Sequence, residues 1–371
     1  MLIILIIVCS LTFIVILQDF LLYLGLVFNF KNHNSSEHNF EHPKISVLIA
    51  ARNEAKFLPH CLQSLENLKY DIDKIEFILA NDESIDETES IIKAWVSRAN
   101  NRRYLNITTQ TTKTMNGKAN ALHQMATLAQ GEYFLFTDAD CEVPAYWAND
   151  MVASAVNSKS DLVTGITKVK PTDWYASMQA IDWWLTLGMV KVASDAGVVL
   201  TSMGNNMLIS RNAYRAIGGF ASLPLTVTED FEIAKAVKQL KFKAVHQVSS
   251  ENLIFTHAQE TLVELLAQRK RWLKGVMGLP FYWKIMLGLQ AMFFPFILIL
   301  FSINPGLAAA LWMAKILTQS LFIKDFARST GTIVLPYFLI TFELYYIFVS
   351  WSTILYYFWP AKVKWKGRQY E

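Results

Sequence analysis

The feature that most constrains the fold is an uninterrupted apolar run that stops at two carboxylates. Residues 133–136 read Tyr-Phe-Leu-Phe, and Asp138 and Asp140 follow almost at once. Such a run is typical of a strand that is buried on both faces, as strands are in parallel sheets. Alternation points both aspartates to one side, at the strand end where open α/β sheets bind ligands. The pair predicts either a divalent-cation site for a bound diphosphate or a chance D-x-D tripeptide without function.

Strand and helix patterns alternate along the chain before this run. Further buried strands are predicted at 45–51, 75–80 and 104–108, and stretches with helical spacing separate them. This alternation predicts an α/β fold in which a mostly parallel mixed sheet is flanked by helices.

Two more residues join the aspartates at the predicted ligand edge of this sheet. Asp82 follows the second strand, and Lys118 stands at the start of the helix that precedes Asp138. Carboxylates that hold Mg²⁺ or Mn²⁺, together with a cation for the leaving phosphate, suit a diphosphate-bearing donor. Taken alone, Asp82 is equally consistent with a turn and Lys118 with an ordinary helix start.

The pattern after the central run is less regular. Strands are predicted over Leu162–Val169 and, with a break at Gly204-Asn205-Asn206, over Val198–Ile209, and an apolar helix is predicted over Trp174–Val192. Trp183 and Trp184 in that helix either stack on an acceptor sugar or pack in the core or against a membrane. We expect the packing role.

The beginning of the chain predicts a membrane anchor. Residues 2–30 are apolar apart from Gln18, Asp19 and two small breaks, without a basic start or a small-x-small cleavage site. Asp19 is either a functional carboxylate inside the membrane or an interfacial residue after a span that ends near Leu17. We expect the interfacial position.

The last third of the chain is also membrane-like. Residues 285–303 and 333–357 are each long enough to span a bilayer. Residues 307–323 contain Lys315 and predict either a third span or a helix in the interface. Before them, a capping-box signature at 261–264 begins a basic amphipathic helix, which is typical of a membrane surface.

Composition narrows the class of protein further. Of the 371 residues 53% are hydrophobic, which is too apolar for a purely soluble enzyme, and a net charge of +3 does not call for nucleic acid. The three cysteines form no disulfide framework, which is typical of a reducing compartment.

We expect a multi-pass protein of the inner (plasma) membrane whose sheet domain is cytoplasmic. The predicted parts are a transmembrane anchor (1–30), a linker (31–43), the sheet domain (44–260), an interface helix (261–280), a transmembrane region of two or three helices (281–358) and a basic tail (359–371).

Six short motifs follow one another between residues 45 and 275. They are Ala51-Arg-Asn-Glu54, Asn81-Asp82 with Asp86, Gly117-Lys-Ala-Asn-Ala-Leu122, Asp138-Ala-Asp140, Thr228-Glu-Asp230 and Gln268-Arg-Lys-Arg-Trp272. Each motif is weak alone, but in this order the set resembles the membrane-anchored, inverting family 2 glycosyltransferases. The resemblance implies a GT-A nucleotide-sugar-binding fold for the sheet domain and a hexosyltransferase activity.

The resemblance also implies roles for the residues at the sheet edge. Asp82 would hold the base and ribose of the donor, and Glu54 would line the same nucleotide pocket. Lys118 would contact the diphosphate, with Asp138 and Asp140 holding Mg²⁺ or Mn²⁺ against it.

Further roles fall on the later motifs. Asp230 matches the general base that deprotonates the acceptor hydroxyl, and Glu229 lies beside it. Gln268, Arg271 and Trp272 match the signature that closes over the donor pyrophosphate and forms the floor on the acceptor side.

The first motif departs from the family pattern. Many relatives carry Pro or Thr and then an aromatic residue before Asn-Glu, where this chain has Ala51 and Arg52. Stacking on the base would therefore come either from the Arg52 guanidinium or from outside this loop.

The function implied is transfer of a sugar from a nucleotide-diphosphate sugar, expected to be a UDP-sugar, to a hydroxyl of a lipid or lipid-linked acceptor. Two alternatives stay open, a processive polysaccharide synthase with coupled export and a catalytically inactive membrane assembly subunit. Product size separates the first two, and nucleotide-sugar binding tests the third.

Overall fold

A computed structural model describes residues 2–33, 42–107, 115–360, 363–365 and 368–370 of the chain. Most of the predicted linker, the end of the strand expected at 104–108 and the side chains of residues 361–371 lie outside the described residues.

The elements alternate as the sequence predicts over the first half of the sheet domain. The strands are β1 (Ile45–Ala51), β2 (Ile75–Asn81), β3 (Arg102–Asn106), β4 (Tyr133–Thr137), β5 (Leu162–Thr164), β6 (Ile166–Val169), β7 (Asn206–Ser210), β8 (Ala244–His246), β9 (Leu253–Thr256), β10 (Val363–Trp365) and β11 (Arg368–Tyr370). The α-helices are α1 (Leu2–Asn29), α2 (Leu58–Glu66), α3 (Thr88–Val96), α4 (Gly117–Leu128), α5 (Trp147–Ser158), α6 (Trp174–Asp195), α7 (Arg211–Ala216), α8 (Glu229–Gln239), α9 (Leu262–Val276), α10 (Phe281–Ile303), α11 (Pro305–Arg328) and α12 (Pro336–Phe358).

The main sheet is mixed and mostly parallel, which confirms the predicted fold class. Its strands lie in the order β3-β2-β1-β4-β7-β5-β8. The strands β1 to β4 run parallel, β7 is antiparallel to both of its neighbours, and β8 is parallel to β5. The carboxyl ends of β1, β2 and β4 therefore meet at one edge, where ligands bind in open sheets.

Helices cover both faces of this sheet, because its central strands are apolar on both sides. On one face α2, α3 and α5 pack through residues such as Leu62, Trp95 and Trp147. On the other face α4 and α8 pack through residues such as Leu122 and Ile233. Burial on both faces is the reason why these strands lack polar alternation.

Two predicted strands differ from those observed. The stretch 162–169 is not one strand, because it divides at Gly165 between two sheets. A Cβ at Gly165 would lie 2.4 Å from the side chain of Asn206, so only glycine fits this crossing point. The strand expected over 198–209 begins only at Asn206, because the preceding residues leave the sheet and bring Gly204 to Asp230.

Four helices in the described part of the chain are long and apolar enough to cross a membrane, namely α1, α10, α11 and α12. Residues 307–323, for which the sequence left open a third span or an interface helix, thus lie within α11. This helix meets the same length and hydropathy criteria as α1, α10 and α12. The helix α1 does not end near Leu17, where the expected span ends, but continues to Asn29. Its Asp19 accepts a hydrogen bond from Gln290 of α10 at 2.7 Å.

Helix α6 connects the sheet domain to these apolar helices. A Cβ at Gly188 would lie 2.7 Å from Phe322 of α11, so the two helices approach closely there. Trp184 packs edge to face on Phe326 at 5.8 Å between ring centroids. The adjacent helix α9 begins with the capping box predicted from Thr261 and Glu264, which is confirmed.

Candidate active site

A cavity of about 540 Å³ lies at the carboxyl edge of the sheet, between the strand ends on one side and α8 and α9 on the other. Every residue that the sequence singled out for a site lines it. These residues are Ala51, Arg52, Glu54, Asp82, Lys118, Asp138, Asp140, Glu229, Asp230, Gln268, Arg271 and Trp272. The fold therefore brings together six motifs that are far apart in the chain.

The edge formed by β1 and β2 is held by backbone hydrogen bonds. The N–H of Asp82 donates to the carbonyl of Ala51 at 2.9 Å, and Arg52 Nη1 donates to the carbonyl of Asp82 at 2.6 Å. The N–H of Glu54 donates to Thr88 Oγ1 at 2.7 Å. Because Asp82 and Glu54 are almost fully buried, their carboxylates are fixed at the end of the cavity nearest β2.

Lys118 connects the two sides of the cavity. Its Nζ lies 2.6 Å from Asp138 Oδ1 at the end of β4 and 3.5 Å from Glu229 Oε1 at the start of α8. Burial would lower the pKa of Lys118, but the carboxylates of Asp138 and Glu229 outweigh it and raise that pKa. The lysine is therefore a fixed positive charge in the centre of the site.

Asp230 lies in buried surroundings that raise the pKa of its carboxyl group. Its carboxylate accepts hydrogen bonds from the N–H of Gly204 at 3.0 Å and of Phe231 at 2.8 Å. Burial, followed by repulsion from Glu229, raises the pKa of Asp230 from 3.8 to about 6, while Gly204 and Lys118 act in the opposite direction. A carboxylate with a pKa near the working pH can both accept a proton and pass it on.

The end of β4 offers two carboxylates to a cation. Asp138 and Asp140 both face the cavity, and the Asp138 side chain is 32% exposed. In the ranges that the structure describes, no group of three or more His, Cys, Asp or Glu side chains forms a metal site. Mg²⁺ commonly binds through one or two carboxylates plus substrate phosphates, so this pair fits a cation that binds together with a diphosphate.

Helix α9 forms the opposite wall and is attached on both sides. Arg269 forms an ion pair with Asp182 of α6, and Lys270, which is 6% exposed, donates to the carbonyl of Trp359 at 2.7 Å. Two of the basic residues expected at a membrane surface are therefore bonded within the protein. These contacts leave Gln268 and Arg271 on the side of α9 that lines the cavity.

Some residues of the cavity were missed by sequence reasoning. The packing role expected for the tryptophan pair holds for Trp184, which is 1% exposed, whereas Trp183 also lines the cavity. Neighbouring residues on a helix point about 100° apart, and this could have indicated different surroundings for the two rings. Gly204 and His257 line the cavity as well, the latter stacked on Phe57 at 4.1 Å. Gly204 belongs to the break predicted in the strand over 198–209, but that pattern does not indicate a place in the cavity, and no local pattern marks His257.

Two protein families match the chain. Residues 46–218 match the family described as Glycosyl transferase family 2. Residues 133–360, which are more than half of the chain, match the family described as Glycosyl transferase family group 2.

Individual proteins are similar to the chain at low identity. A beta-monoglucosyldiacylglycerol synthase of Trichormus variabilis is 26% identical over 262 residues, which cover 68% of this chain and 53% of that protein. A poly-beta-1,6-N-acetyl-D-glucosamine synthase of Staphylococcus epidermidis is 26% identical over 237 residues, covering 62% of this chain and 54% of that protein. The chain thus spans about half the length of these curated relatives.

A solved structure is similar over almost the whole chain. It is a mannosyltransferase from Pyrobaculum calidifontis in complex with GDP-Man and Mn²⁺, with a TM-score of 0.61 and 15% identity over 96% of this chain and 98% of that chain. At this identity the likeness bears on the fold, and it confirms the GT-A type of architecture that the motifs led us to expect.

Proposed function

Because this chain belongs to glycosyl transferase family group 2 and is thus a glycosyltransferase, we propose that it moves a sugar from a nucleotide-diphosphate sugar to a hydroxyl of a lipid or lipid-linked acceptor. One observation carries the proposal: Asp230 and the pair Asp138 and Asp140 line the same cavity, with Lys118 between them. A base and a diphosphate site are needed on opposite sides of the transferred sugar.

The donor is held at the sheet edge. Asp82 and Glu54 bind the nucleoside, which we expect to be uridine, beside the loop of Ala51 and Arg52. Lys118 and, from α9, Arg271 bind the diphosphate, since both side chains are cationic and line the cavity. Their charges stabilise the negative charge that develops as the nucleotide leaves.

Asp138 and Asp140 hold the divalent cation, Mg²⁺ or Mn²⁺. When bound, such an ion neutralises diphosphate charge and makes the nucleotide a better leaving group. The Mn²⁺ and GDP-Man in the similar mannosyltransferase structure support a metal-dependent donor site.

Asp230 acts as the general base. It accepts the proton of the acceptor hydroxyl while the hydroxyl oxygen forms a bond to the anomeric carbon, and the bond from that carbon to the phosphate oxygen breaks. Glu229 supports this step by keeping the pKa of Asp230 raised. A single displacement inverts the anomeric centre and requires no covalent enzyme intermediate.

The acceptor is a membrane component. Four helices long and apolar enough to cross a membrane are found in the described residues, and the similar synthase of Trichormus variabilis is named for a monoglucosyldiacylglycerol product. We assign the reaction to the cytoplasmic face of the inner membrane, because the three cysteines form no disulfide framework, which is typical of a reducing compartment. The similar poly-N-acetylglucosamine synthase favours one alternative, a processive polysaccharide synthase.

Labelled donors test the proposal. Membranes that contain the protein are incubated with a panel of labelled UDP- and GDP-sugars in the presence of Mg²⁺ or Mn²⁺. We expect label from one donor to enter the lipid extract, and membranes with the Asp230→Asn variant to show none. Label in a long insoluble polymer would favour the synthase alternative, and no incorporation from any donor would contradict both.

A further inference from the structure

The cavity has an apolar wall among its many charged and polar lining residues. Trp183 of α6, Met203 and Trp272 of α9 form this apolar wall. The two indoles meet edge to face, with 5.3 Å between ring centroids. Edge-to-face pairs are a favourable arrangement of aromatic rings, so the wall has a defined shape before a substrate arrives.

The apolar wall is next to the proposed base. Met203 directly precedes Gly204, whose N–H donates to the Asp230 carboxylate at 3.0 Å. A group that packs on the wall therefore lies beside the carboxylate that is to receive its proton. Asp138 and Asp140, the proposed cation ligands, follow β4, whose last residue Thr137 pairs with Asn206 at the start of β7. The residues before β7, which include Met203, are therefore close to this pair as well.

Three consecutive residues of α6 attach the wall to its surroundings. Asp182 forms the ion pair with Arg269 of α9, Trp183 faces the cavity, and Trp184 packs on Phe326 of α11. The helix that carries Trp183 thus lies between the cavity and an apolar helix of membrane-spanning length.

We propose that Trp183 selects the acceptor, and that its indole packs on the apolar part of an amphiphilic lipid next to the hydroxyl that reacts. This proposal rests on the proposed function and deepens it, because it names the acceptor as a lipid whose hydroxyl is close to its apolar chains. Tryptophan suits the task, since its large ring combines apolar area with a polar edge at the boundary of a membrane.

The test separates acceptor binding from donor chemistry. The full chain is purified in detergent with total membrane lipid as acceptor and the labelled sugar that the donor panel identifies. Two rates are measured, transfer of label to lipid and lipid-independent hydrolysis of the donor. The variants are Trp183→Ala, Trp183→Phe and, as a matched control on the same helix, Trp174→Ala, whose exposed ring contacts Tyr345 and does not line the cavity.

We expect Trp183→Ala to raise the KM for lipid by about tenfold or more, since it loses a large aromatic contact. The KM for the donor and the hydrolysis rate should stay unchanged, Trp183→Phe should recover most of the lipid affinity, and Trp174→Ala should behave as the parent. An unchanged KM for lipid in Trp183→Ala, or an equal loss of transfer and hydrolysis, would overturn the role of Trp183. Donor hydrolysis without lipid labelling in the parent chain would instead overturn the lipid acceptor, and the inference with it.

Discussion

Two regions of the molecule place a lysine among carboxylates and amides away from bulk water. In the cavity, Lys118 lies 2.6 Å from Asp138 and 3.5 Å from Glu229. Among the apolar helices, Lys315 of α11 lies 3.1 Å from Glu343 of α12. We call the second group, with Asp19, Gln290 and Gln319, the membrane polar cluster.

The two groups differ in their access to a ligand. The side chains of Lys118 and Asp138 are 14% and 32% exposed and face a cavity. Those of Lys315 and Glu343 are both 3% exposed, and Lys315 also bonds to Gln319 at 2.7 Å. The first group can exchange its partners for a diphosphate, whereas the second joins helices to one another. The two groups thus share buried charge, and the adjoining cavity is what distinguishes the proposed site from the membrane polar cluster.

The largest expected effect is that of Asp230→Asn. The asparagine keeps the shape of the side chain but accepts no proton, so transfer should fall by about 10²–10⁴-fold. Donor affinity should change much less, because Asp230 is assigned to the acceptor hydroxyl and the donor is assigned to other residues of the cavity. Initial rates and calorimetric donor binding measure the two quantities. Glu232→Gln, on the same helix and paired with Lys235 at 3.2 Å, is the matched control, and an Asp230→Asn turnover within twofold of the parent would contradict the assigned role.

The next effect concerns the stability of the membrane polar cluster. Lys315→Met leaves Glu343 buried without its cation, which should cost about 3–5 kcal/mol of the free energy of unfolding. Thermal unfolding in detergent measures the loss, while the transfer rate per folded molecule should stay the same. A catalytic role for this cluster would appear as lost activity at full stability.

A double variant sharpens the same comparison. Combining Lys315→Met with Glu343→Leu removes both charges, and replacing a buried ion pair by apolar residues is often neutral. The double variant should therefore recover most of the stability that Lys315→Met loses. In the cavity, the corresponding double variant that removes the charges of Lys118 and Asp138 should stay folded but be inactive. The unfolding experiment measures its stability, and the transfer assay measures its activity. If the variant with both Lys315→Met and Glu343→Leu were as unstable as Lys315→Met alone, the explanation that the loss comes from an unpaired buried charge would be contradicted.

The smallest expected effect is a shift in pH dependence. Because the pKa of Asp230 is raised to about 6, the base is ionised above pH 6 and is lost as the pH falls through that value. The transfer rate should then fall about tenfold per pH unit below 6. Glu229→Gln removes the like charge that raises this pKa, so the fall should move to lower pH, whereas Lys315→Met should leave it in place. A flat profile between pH 7 and 5 would contradict the assignment.

The same contrast explains how much could be predicted from the sequence. The cavity residues belong to local motifs, and Asp138 directly follows a buried strand, so their place at one sheet edge follows from the alternation of elements. The membrane polar cluster has no such marker. Asp19, Lys315 and Glu343 stand in three separate apolar segments, and hydropathy does not say which segments pair. For this reason the sequence did not decide whether the segment with Lys315 is a third span or an interface helix. In the structure Lys315 pairs with Glu343.

Contacts between distant segments were the other limit. Trp183 lines the cavity because α6 packs on α9, and Gly204 reaches Asp230 because residues before β7 leave the sheet. Neither arrangement follows from periodicity within one segment. The division of residues 162–169 at Gly165 was missed for the same reason, because Gly165 closely approaches the side chain of Asn206, which is distant in the chain.

The central claim is a single displacement in which one carboxylate takes the acceptor proton and no sugar is bonded to the enzyme. The configuration of the anomeric carbon tests it most directly, because one displacement inverts this centre and two restore it. With an α-linked nucleotide sugar as donor, proton NMR of the isolated product should show a β-linkage. An α-linked product would contradict the account.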